Sequence, residues 1–458
     1  MKKRERYKKI ISAMEVLFLM VIHTYLYATL WYSYYSGLVP KKVQFYRRGH
    51  WAVIAMYVLV LWLFTKLYGG FKVGYLRLFD VIYSQLLSLL CSNVVLYIQI
   101  CMLTRDYVTP IPLLVMTGIQ TCIILLWVFG CRFLYMKLYP PRNLLLVYGE
   151  KTPIDFINKI NARKDKYFIK KKIHVSEGME NIKKAIAECE AVMICETASH
   201  PRNEVLKYCF IHSVRTYVVP KVTDLMLMGS DEIHLFDTPL LMSRNQGLSG
   251  EQAAVKRLMD IVLGLIACVI ASPFMLLIAI AIKLYDRGPV FYKQIRLTRD
   301  GKEFSIIKFR SMSVDAEKGG ARLAMKNDSR VTPVGKVIRN LHLDELPQLF
   351  NILRGEMSFV GPRPERPEIF EQYKRELPEF EFRLKVKAGL TGYAQVYGKY
   401  NTTPRDKVKL DVAYIEHYSI WLDLKLMLLT FKILFQKENT EGVEQNQTTA
   451  LKGKKDNG

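Results

Sequence analysis

Apolar residues fall in blocks along this chain rather than being spread evenly. Four apolar stretches, at about residues 10–35, 51–68, 79–103 and 112–135, each approach or exceed the ~20 residues that a helix needs to cross the hydrocarbon of a bilayer. They predict a membrane protein with a four-helix transmembrane bundle over 1–140. The first stretch is too long and too tyrosine-rich at its end for a cleaved signal peptide. From 143 to about 244 the pattern changes to short apolar strands alternating with amphipathic helices. Leu144-Leu145-Leu146-Val147-Tyr148-Gly149, Ala191-Val192-Met193-Ile194-Cys195 and Arg215-Thr216-Tyr217-Val218-Val219-Pro220 read as strands, and 154–160 as a helix. Strands separated by helices predict a small parallel α/β (Rossmann-like) domain over 141–245. The polar, glycine-containing stretch 243–251 predicts a linker. The aperiodic polar tail, 437–458, predicts disorder.

A fifth apolar segment, 261–282, is nominally long enough to span a bilayer at ~33 Å of helix. Ser272-Pro273 interrupts it. Proline removes a backbone donor and clashes with the preceding turn, which bends or breaks a helix, and in lipid the freed carbonyl needs another partner, such as the Ser272 hydroxyl. Basic residues flank both ends: Lys256 and Arg257 before, Lys283, Arg287, Lys293 and Arg296 after. Positive charge on both sides favours both ends in the cytoplasm, so the expectation is a re-entrant helix at 258–283 rather than a kinked fifth span. Lys2, Lys3, Arg4, Arg6, Lys8 and Lys9 at the start, Lys66, Lys72 and Arg77 in the second connection, and Arg132, Lys137 and Arg142 after the fourth span argue the same way for the bundle. Lys41, Lys42, Arg47 and Arg48 run against it. The balance favours both ends of the bundle inside, with the remainder of the chain on the cytoplasmic side of the membrane. The apolar stretch 421–435, at 15 residues, is short for a span and suits the membrane interface.

Charge narrows the partners. With 66 Lys plus Arg against 42 Asp plus Glu, the net charge is +24, which attracts anions. Beside membrane spans, the expected partner is an anionic lipid membrane; no helix-turn-helix or aromatic RNA-binding stripe supports nucleic acid. The eight cysteines include no CxxC pair, which supports neither a disulfide framework nor a zinc site.

Candidate chemistry concentrates after the fifth segment. Two alternating stretches around Asp300-Gly301 read as a β-hairpin, with Lys308 and Arg310 on one face of its second strand; such a pair is either a solvated face or an anion contact. A short helix, 334–340, ends near Arg339. Beyond it, Leu346, Leu349, Phe350 and Leu353 follow helical spacing, and Pro347, tolerated only in a first turn, starts that helix near Asp344, with Gly355 suited to its C-cap. Asp344 and Glu345 then either cap the helix or handle phosphate, holding Mg²⁺ through oxygen ligands or, for Asp344, acting as a nucleophile. In Gly361-Pro362-Arg363-Pro364, two prolines fix the backbone around Arg363, making a rigid turn or a fixed fork for phosphate. Asp411 is a further polar candidate, with a surface ion pair as its other reading. In the α/β domain, Gly149-Glu150-Lys151-Thr152-Pro153 replaces the glycine-rich phosphate loop, which favours a structural or interaction role, including regulation or pairing into a homodimer.

Lys256-Arg257-Leu258-Met259-Asp260, Ser272-Pro273, Gly288-Pro289-Val290-Phe291, Lys308-Phe309-Arg310-Ser311-Met312, Leu343-Asp344-Glu345-Leu346-Pro347-Gln348-Leu349 and Gly361-Pro362-Arg363-Pro364, in this order, resemble the bacterial sugar transferases, the monotopic phosphoglycosyl transferases. The resemblance covers about 255–435, and the preceding segments are similar to those of the larger members that start exopolysaccharide, capsule or O-antigen repeats. It implies an α+β catalytic domain over 246–436 that transfers hexose-1-phosphate from a UDP-hexose to undecaprenyl phosphate. Asp344 would form a phosphosugar-aspartyl intermediate with release of UMP, and undecaprenyl phosphate would displace it. Glu345 would assist Mg²⁺ binding or proton transfer. Arg339 and Arg363 would hold phosphates, with Lys308 and Arg310 as lesser candidates, and Ser272 and Pro273 would form the re-entrant break. The alternative is a non-catalytic membrane scaffold or regulator of polysaccharide export. An Asp-x-Asp metal motif, expected of an inverting glycosyltransferase, does not occur.

Overall fold

A computed structural model describes residues 7–40, 47–150, 152–243, 246–313, 330–398 and 402–434. The basic residues Lys2, Lys3, Arg4, Arg6, Lys41 and Lys42 and the tail expected from Lys437 lie outside the described residues. The chain divides into two compact units, Met1–Val219 and Pro220–Gly458.

The first unit begins with four long helices. They are α1 (Lys8–Leu30, continued by a wide turn over Trp31–Tyr35), α2 (Arg47–Tyr68), α3 (Leu78–Thr104) and α4 (Ile111–Leu138). By length and composition each is apolar enough to cross a membrane. Tyr27, Trp31, Tyr57, Leu96 and Met116 meet in one core, while Phe18, Trp51, Leu90 and Leu126 point outward. Apolar groups on both the inside and the outside are what a lipid solvent permits and water does not. Between helices, Gln120 Nε2 donates to Tyr57 Oη at 2.7 Å and Asn93 Nδ2 to Thr117 Oγ1 at 2.7 Å, so these polar side chains tie the helices together.

The α/β part follows with β1 (Arg142–Tyr148), α5 (Ile154–Asn161), β2 (Tyr167–His174), α6 (Met179–Ala187), β3 (Ala191–Cys195), α7 (Ser199–Ile211) and β4 (Arg215–Val218). All pairings are parallel, in the order β2-β1-β3-β4. Strand β2 is not apparent in the apolar pattern because it carries Lys170, Lys171 and Lys172, all exposed; lysine suits an edge strand, where it discourages further pairing. At the carboxyl end of β1, where a nucleotide would sit in such a sheet, the chain after β3 approaches Gly149 closely. A Cβ on Gly149 would lie 2.7 Å from Thr197 Cα.

The second unit holds α8 (Val222–Met228), a hairpin of β5 (Asp231–Leu235) and β6 (Thr238–Met242), and α9 (Gly250–Asp286). A second hairpin, β7 (Phe291–Leu297) with β8 (Glu303–Phe309), falls where the sequence predicts it. Then come α10 (Pro333–Asn340), α11 (Gln348–Arg354), β9 (Ser358–Val360), α12 (Pro367–Glu376), β10 (Gly389–Thr391), α13 (Tyr393–Tyr397), α14 (Pro404–Glu416) and α15 (Ile420–Leu434). Helix α8 buries Val222 and Leu225 against Phe370, Tyr373, Phe380 and Val412. The division at Val219/Pro220 therefore falls upstream of the linker expected at 243–251.

Helix α9 runs 37 residues and continues through Pro273 rather than ending there. Pro273 has no N–H to give the carbonyl of Val269, and Ser272 Oγ donates to that carbonyl at 2.8 Å, which is how the proline is tolerated. One stripe of the helix faces the protein. Ala267, Cys268 and Ala271 pack with Phe304, Leu349 and Ile352, and, past the proline, Met275, Ile278 and Ile282 pack with Phe309, Ile338 and Leu343. The other face exposes Leu265, Val269, Phe274, Leu277 and Leu284. At the start of α9, Lys256 pairs with Asp423 and Asp260 accepts from Ser358 Oγ and Phe359 N, both at 3.0 Å. Arg257 donates to the carbonyls of Ile352 at 2.6 Å and Leu353 at 2.7 Å, capping the C-terminal end of α11.

Candidate active site

Asp344 and Glu345 occupy a single tight turn, Leu343–Glu345, between α10 and α11. The left-handed conformation of His342 (φ 54°) separates this turn from α10, and the chain passes from the tight turn into the α-helix proper at Gln348, a little later than expected. Its Gly355 end is as predicted, with φ 85°. Leu343 and Leu346 pack into the α9 cluster, so the turn is nailed to the apolar stripe while its carboxylates face elsewhere.

The two carboxylates have opposite surroundings. Lys308 Nζ reaches Glu345 Oε1 at 2.6 Å and Arg363 Nη2 reaches the same atom at 3.0 Å. Burial disfavours the Glu345 anion, but these two cations outweigh it and hold the carboxyl well below the usual carboxylate range. Asp344 has no hydrogen bond or ion pair among the described residues. Burial, and then the neighbouring Glu345 charge, push its carboxyl up, while Lys308, Arg339 and His342 pull more weakly the other way. Asp344 is thus a desolvated carboxyl without a neutralising partner among the described residues, and its anion, poorly stabilised there, is suited to nucleophilic attack. Arg339, at the end of α10, bears on Asp344 by charge and has no hydrogen bond of its own among the described residues. Its five donors are available to an incoming phosphate.

Arg363 is held from behind. Arg296 Nη1 donates to the Pro364 carbonyl at 3.0 Å and Arg383 Nη2 to the Arg363 carbonyl at 3.0 Å. Glu365 accepts from Lys407 at 3.2 Å and lies 3.7 Å from Arg383. Burial opposes the Glu365 anion, yet Lys407, Arg383 and Arg296 bring its carboxyl down to about 2. Gly361 lets the loop approach the segment just before β10, since a Cβ there would sit 2.3 Å from the Lys387 carbonyl. The fork expected to be fixed by the two prolines is also held by Arg296 and the buried Arg383.

Lys308, Arg363, Asp344, Glu345 and Arg339 come together. Two candidates do not join them. Arg310 pairs with Asp286 at the end of α9, packed so tightly under Gly288 that a Cβ there would meet its guanidinium at 2.2 Å. Asp411 is buried in an ion pair with Arg383 at 2.6 Å, neither on the surface nor open to a substrate; it supports Arg383, which in turn supports Arg363. Asn351 had no place in the sequence reading. Fully buried on α11, it accepts from Ile307 N at 3.0 Å and donates to the Ser305 carbonyl at 2.8 Å and to Glu356 at 2.6 Å, fastening the Lys308 strand to the helix after the carboxylates. A lone Asn on the apolar face of a short helix was the available signal.

Among the described residues no three His, Cys, Asp or Glu side chains converge as a metal cluster. Magnesium needs no such cluster, because it commonly takes one or two carboxylates and completes its shell with water and substrate phosphate. Both contacts to Glu345 fall on Oε1, which leaves Oε2 and the Asp344 oxygens as a donor set that fits it.

Residues 251–437 match the family described as bacterial sugar transferase. The chain is 44% identical over 185 residues to a UDP-N-acetylgalactosamine-undecaprenyl-phosphate N-acetylgalactosaminephosphotransferase of Aeromonas hydrophila, covering 40% of this chain and 44% of that protein. It is 38% identical over 246 residues to a UDP-glucose:undecaprenyl-phosphate glucose-1-phosphate transferase of Klebsiella pneumoniae, covering 53% of this chain and 51% of that protein. A protein of the same description from Caulobacter vibrioides is 39% identical over 189 residues, 40% of this chain and 71% of that relative. The chain thus spans about half the length of the first two relatives.

Proposed function

The chain belongs to the bacterial sugar transferase family, and from that premise we propose that it transfers a sugar 1-phosphate from a UDP-sugar to undecaprenyl phosphate with release of UMP. The observation that carries this reading is the Asp344–Glu345 turn: one carboxylate neutralised by Lys308 and Arg363, the other unpaired beside Arg339. In the first step an Asp344 oxygen attacks the sugar-bearing phosphorus of the donor. The bond between the two phosphates breaks, its electron pair leaves on UMP, and an acyl phosphate to the sugar remains on Asp344. In the second, a phosphate oxygen of undecaprenyl phosphate attacks the same phosphorus and Asp344 departs as a carboxylate, giving undecaprenyl-diphospho-sugar. Arg339 and Arg363 bind the donor phosphates and stabilise charge that builds on the phosphoryl oxygens. Lys308 keeps Glu345 ionised and in place. Asp344 and Glu345 would hold magnesium, which supplies charge neutralisation to the diphosphate when bound.

The site serves a lipid substrate, and the proposed membrane arrangement follows from that. The bundle α1–α4 spans the inner membrane, and α9 enters the membrane from the cytoplasmic side without crossing. In support, both halves of α9, before and after Pro273, pack on one catalytic core, so a crossing would draw Phe309 and Ile338 into lipid with it. The product would be the first lipid-linked sugar of an exopolysaccharide, capsule or O-antigen repeat.

The test is UMP release by membranes carrying the chain, given magnesium, undecaprenyl phosphate and a panel of UDP-hexoses and UDP-N-acetylhexosamines. UMP, rather than UDP, is expected from the wild type, and Asp344→Asn should lower the rate at least about a thousandfold. Without the lipid acceptor, the wild type should retain the mass of a sugar phosphate on the peptide bearing Asp344. Release of UDP, or full activity in the variant, would overturn the reading. No release from any donor would favour the scaffold.

A further inference from the structure

A second concentration of cations, not used by the proposed chemistry, lies at the foot of α9. A cavity there is lined by Lys256, Arg257, Arg299, Lys385 and Lys387, with Asp260 as the acidic side chain of its wall. Most of the charges that could balance one another are already engaged. Asp260 Oδ1 accepts from Ser358 Oγ and Phe359 N, both at 3.0 Å. Lys256 is paired with Asp423 and Arg299 with Asp300. Arg257 gives two of its N–H donors to neutral carbonyls, which leaves its charge unbalanced by them and further donors for an anion. Lys387, half-buried, has no hydrogen bond or ion pair among the described residues. Its amine is pushed down by burial and by Arg257, with Arg299 and Lys256 acting the same way against Asp260. Arg257 and Lys387, with Asp260 as the acidic side chain nearest them in the cavity wall, carry positive charge in excess of that one carboxylate and repel one another, and a group with several strongly accepting oxygens relieves that repulsion.

The position matters as well. Beginning at Leu258, α9 turns apolar side chains outward, with Leu258 63% and Leu265 55% exposed. The cavity therefore sits where the apolar helix starts, at the level where headgroup phosphates lie beside a membrane helix. We propose that this cavity is a second phosphate site, separate from the turn of Asp344 and Glu345, taking the phosphate of an anionic lipid headgroup or a free phosphate. The proposal is independent of the transferase reading, because it rests on residues outside the carboxylate turn.

Reductive methylation of the full chain in nanodiscs, read lysine by lysine by mass spectrometry, tests it. Three preparations are compared: phosphatidylcholine alone, phosphatidylcholine with phosphatidylglycerol, and phosphatidylcholine with added inorganic phosphate, each normalised to exposed Lys302. Occupancy should slow Lys387 labelling about tenfold, the size of one charge-assisted hydrogen bond. Protection by phosphatidylglycerol alone identifies a lipid headgroup; protection by inorganic phosphate as well identifies a site open to free phosphate. Equal labelling in all three overturns the proposal. Ala253→Glu, which brings a carboxylate to the cavity wall, should abolish the protection while leaving the melting temperature in place. Protection that persists in this variant would also overturn it.

Discussion

Asp344 and Glu345 are adjacent in the chain and opposite in environment, and pH should separate them. Attack requires the Asp344 anion, whose protonation burial and Glu345 favour, so the acid limb of kcat/KM is expected above the usual aspartate range. Lys308→Met removes a charge that favours the anion and should move the limb further up. Glu345→Gln removes the repelling charge and should move it down. Shifts of the same sign in both variants would refute this division of labour. Arg339→Ala, which deletes a guanidinium without a hydrogen-bond partner among the described residues, should raise KM for the UDP-sugar roughly tenfold to a hundredfold at an unchanged melting temperature. At this scale the sequence singled out five side chains that do assemble: Asp344, Glu345, Lys308, Arg339 and Arg363. It also offered Arg310 and Asp411, as lesser candidates, because their partners, Asp286 and Arg383, stand 24 and 28 residues away and a local pattern carries no such pairing.

Helix α9 is where local and distant forces compete. Apolar length alone permits a crossing, and proline alone predicts a break. Instead, Ser272 satisfies the carbonyl that Pro273 leaves, and a stripe from Ala267 to Ile282 holds both halves on the catalytic core. Single cysteines replacing Glu251 and Arg287, at its two ends, should therefore react with an impermeant thiol reagent from the same side of the membrane; labelling from opposite sides would establish a crossing. Ser272→Ala should cost about 1 kcal/mol, the net worth of one hydrogen bond, seen as a lower melting temperature. Helix existence was legible here from periodicity. Whether the helix continues past the proline was not, because that depends on what the second half packs against.

The whole chain divides where packing changes, at Val219/Pro220, while its composition changes later. Helix α8 looks from sequence like the last helix of the α/β domain, yet Val222 and Leu225 fill the core that also holds Phe370 and Phe380. Burial of two such side chains is worth roughly 3–6 kcal/mol. A fragment beginning at Pro220 should therefore retain UMP release, and one beginning at residue 246 should carry the same site residues but melt well below it. Equal melting temperatures would remove α8 from the catalytic unit. The sequence by itself determined the membrane helices, the parallel α/β domain, the β7–β8 hairpin and the side chains of the carboxylate turn, because spans, strand alternation and short motifs are written in consecutive residues. Tertiary structure alone decided that the chain after β3 lies close against Gly149, that Arg363 is braced by Arg296 and Arg383, that Arg310 and Asp411 are spent on ion pairs, and that Arg257 and Lys387 meet in one cavity at the foot of α9. Each of these is a contact between residues far apart in the chain, whose energy exists only once burial has brought them together.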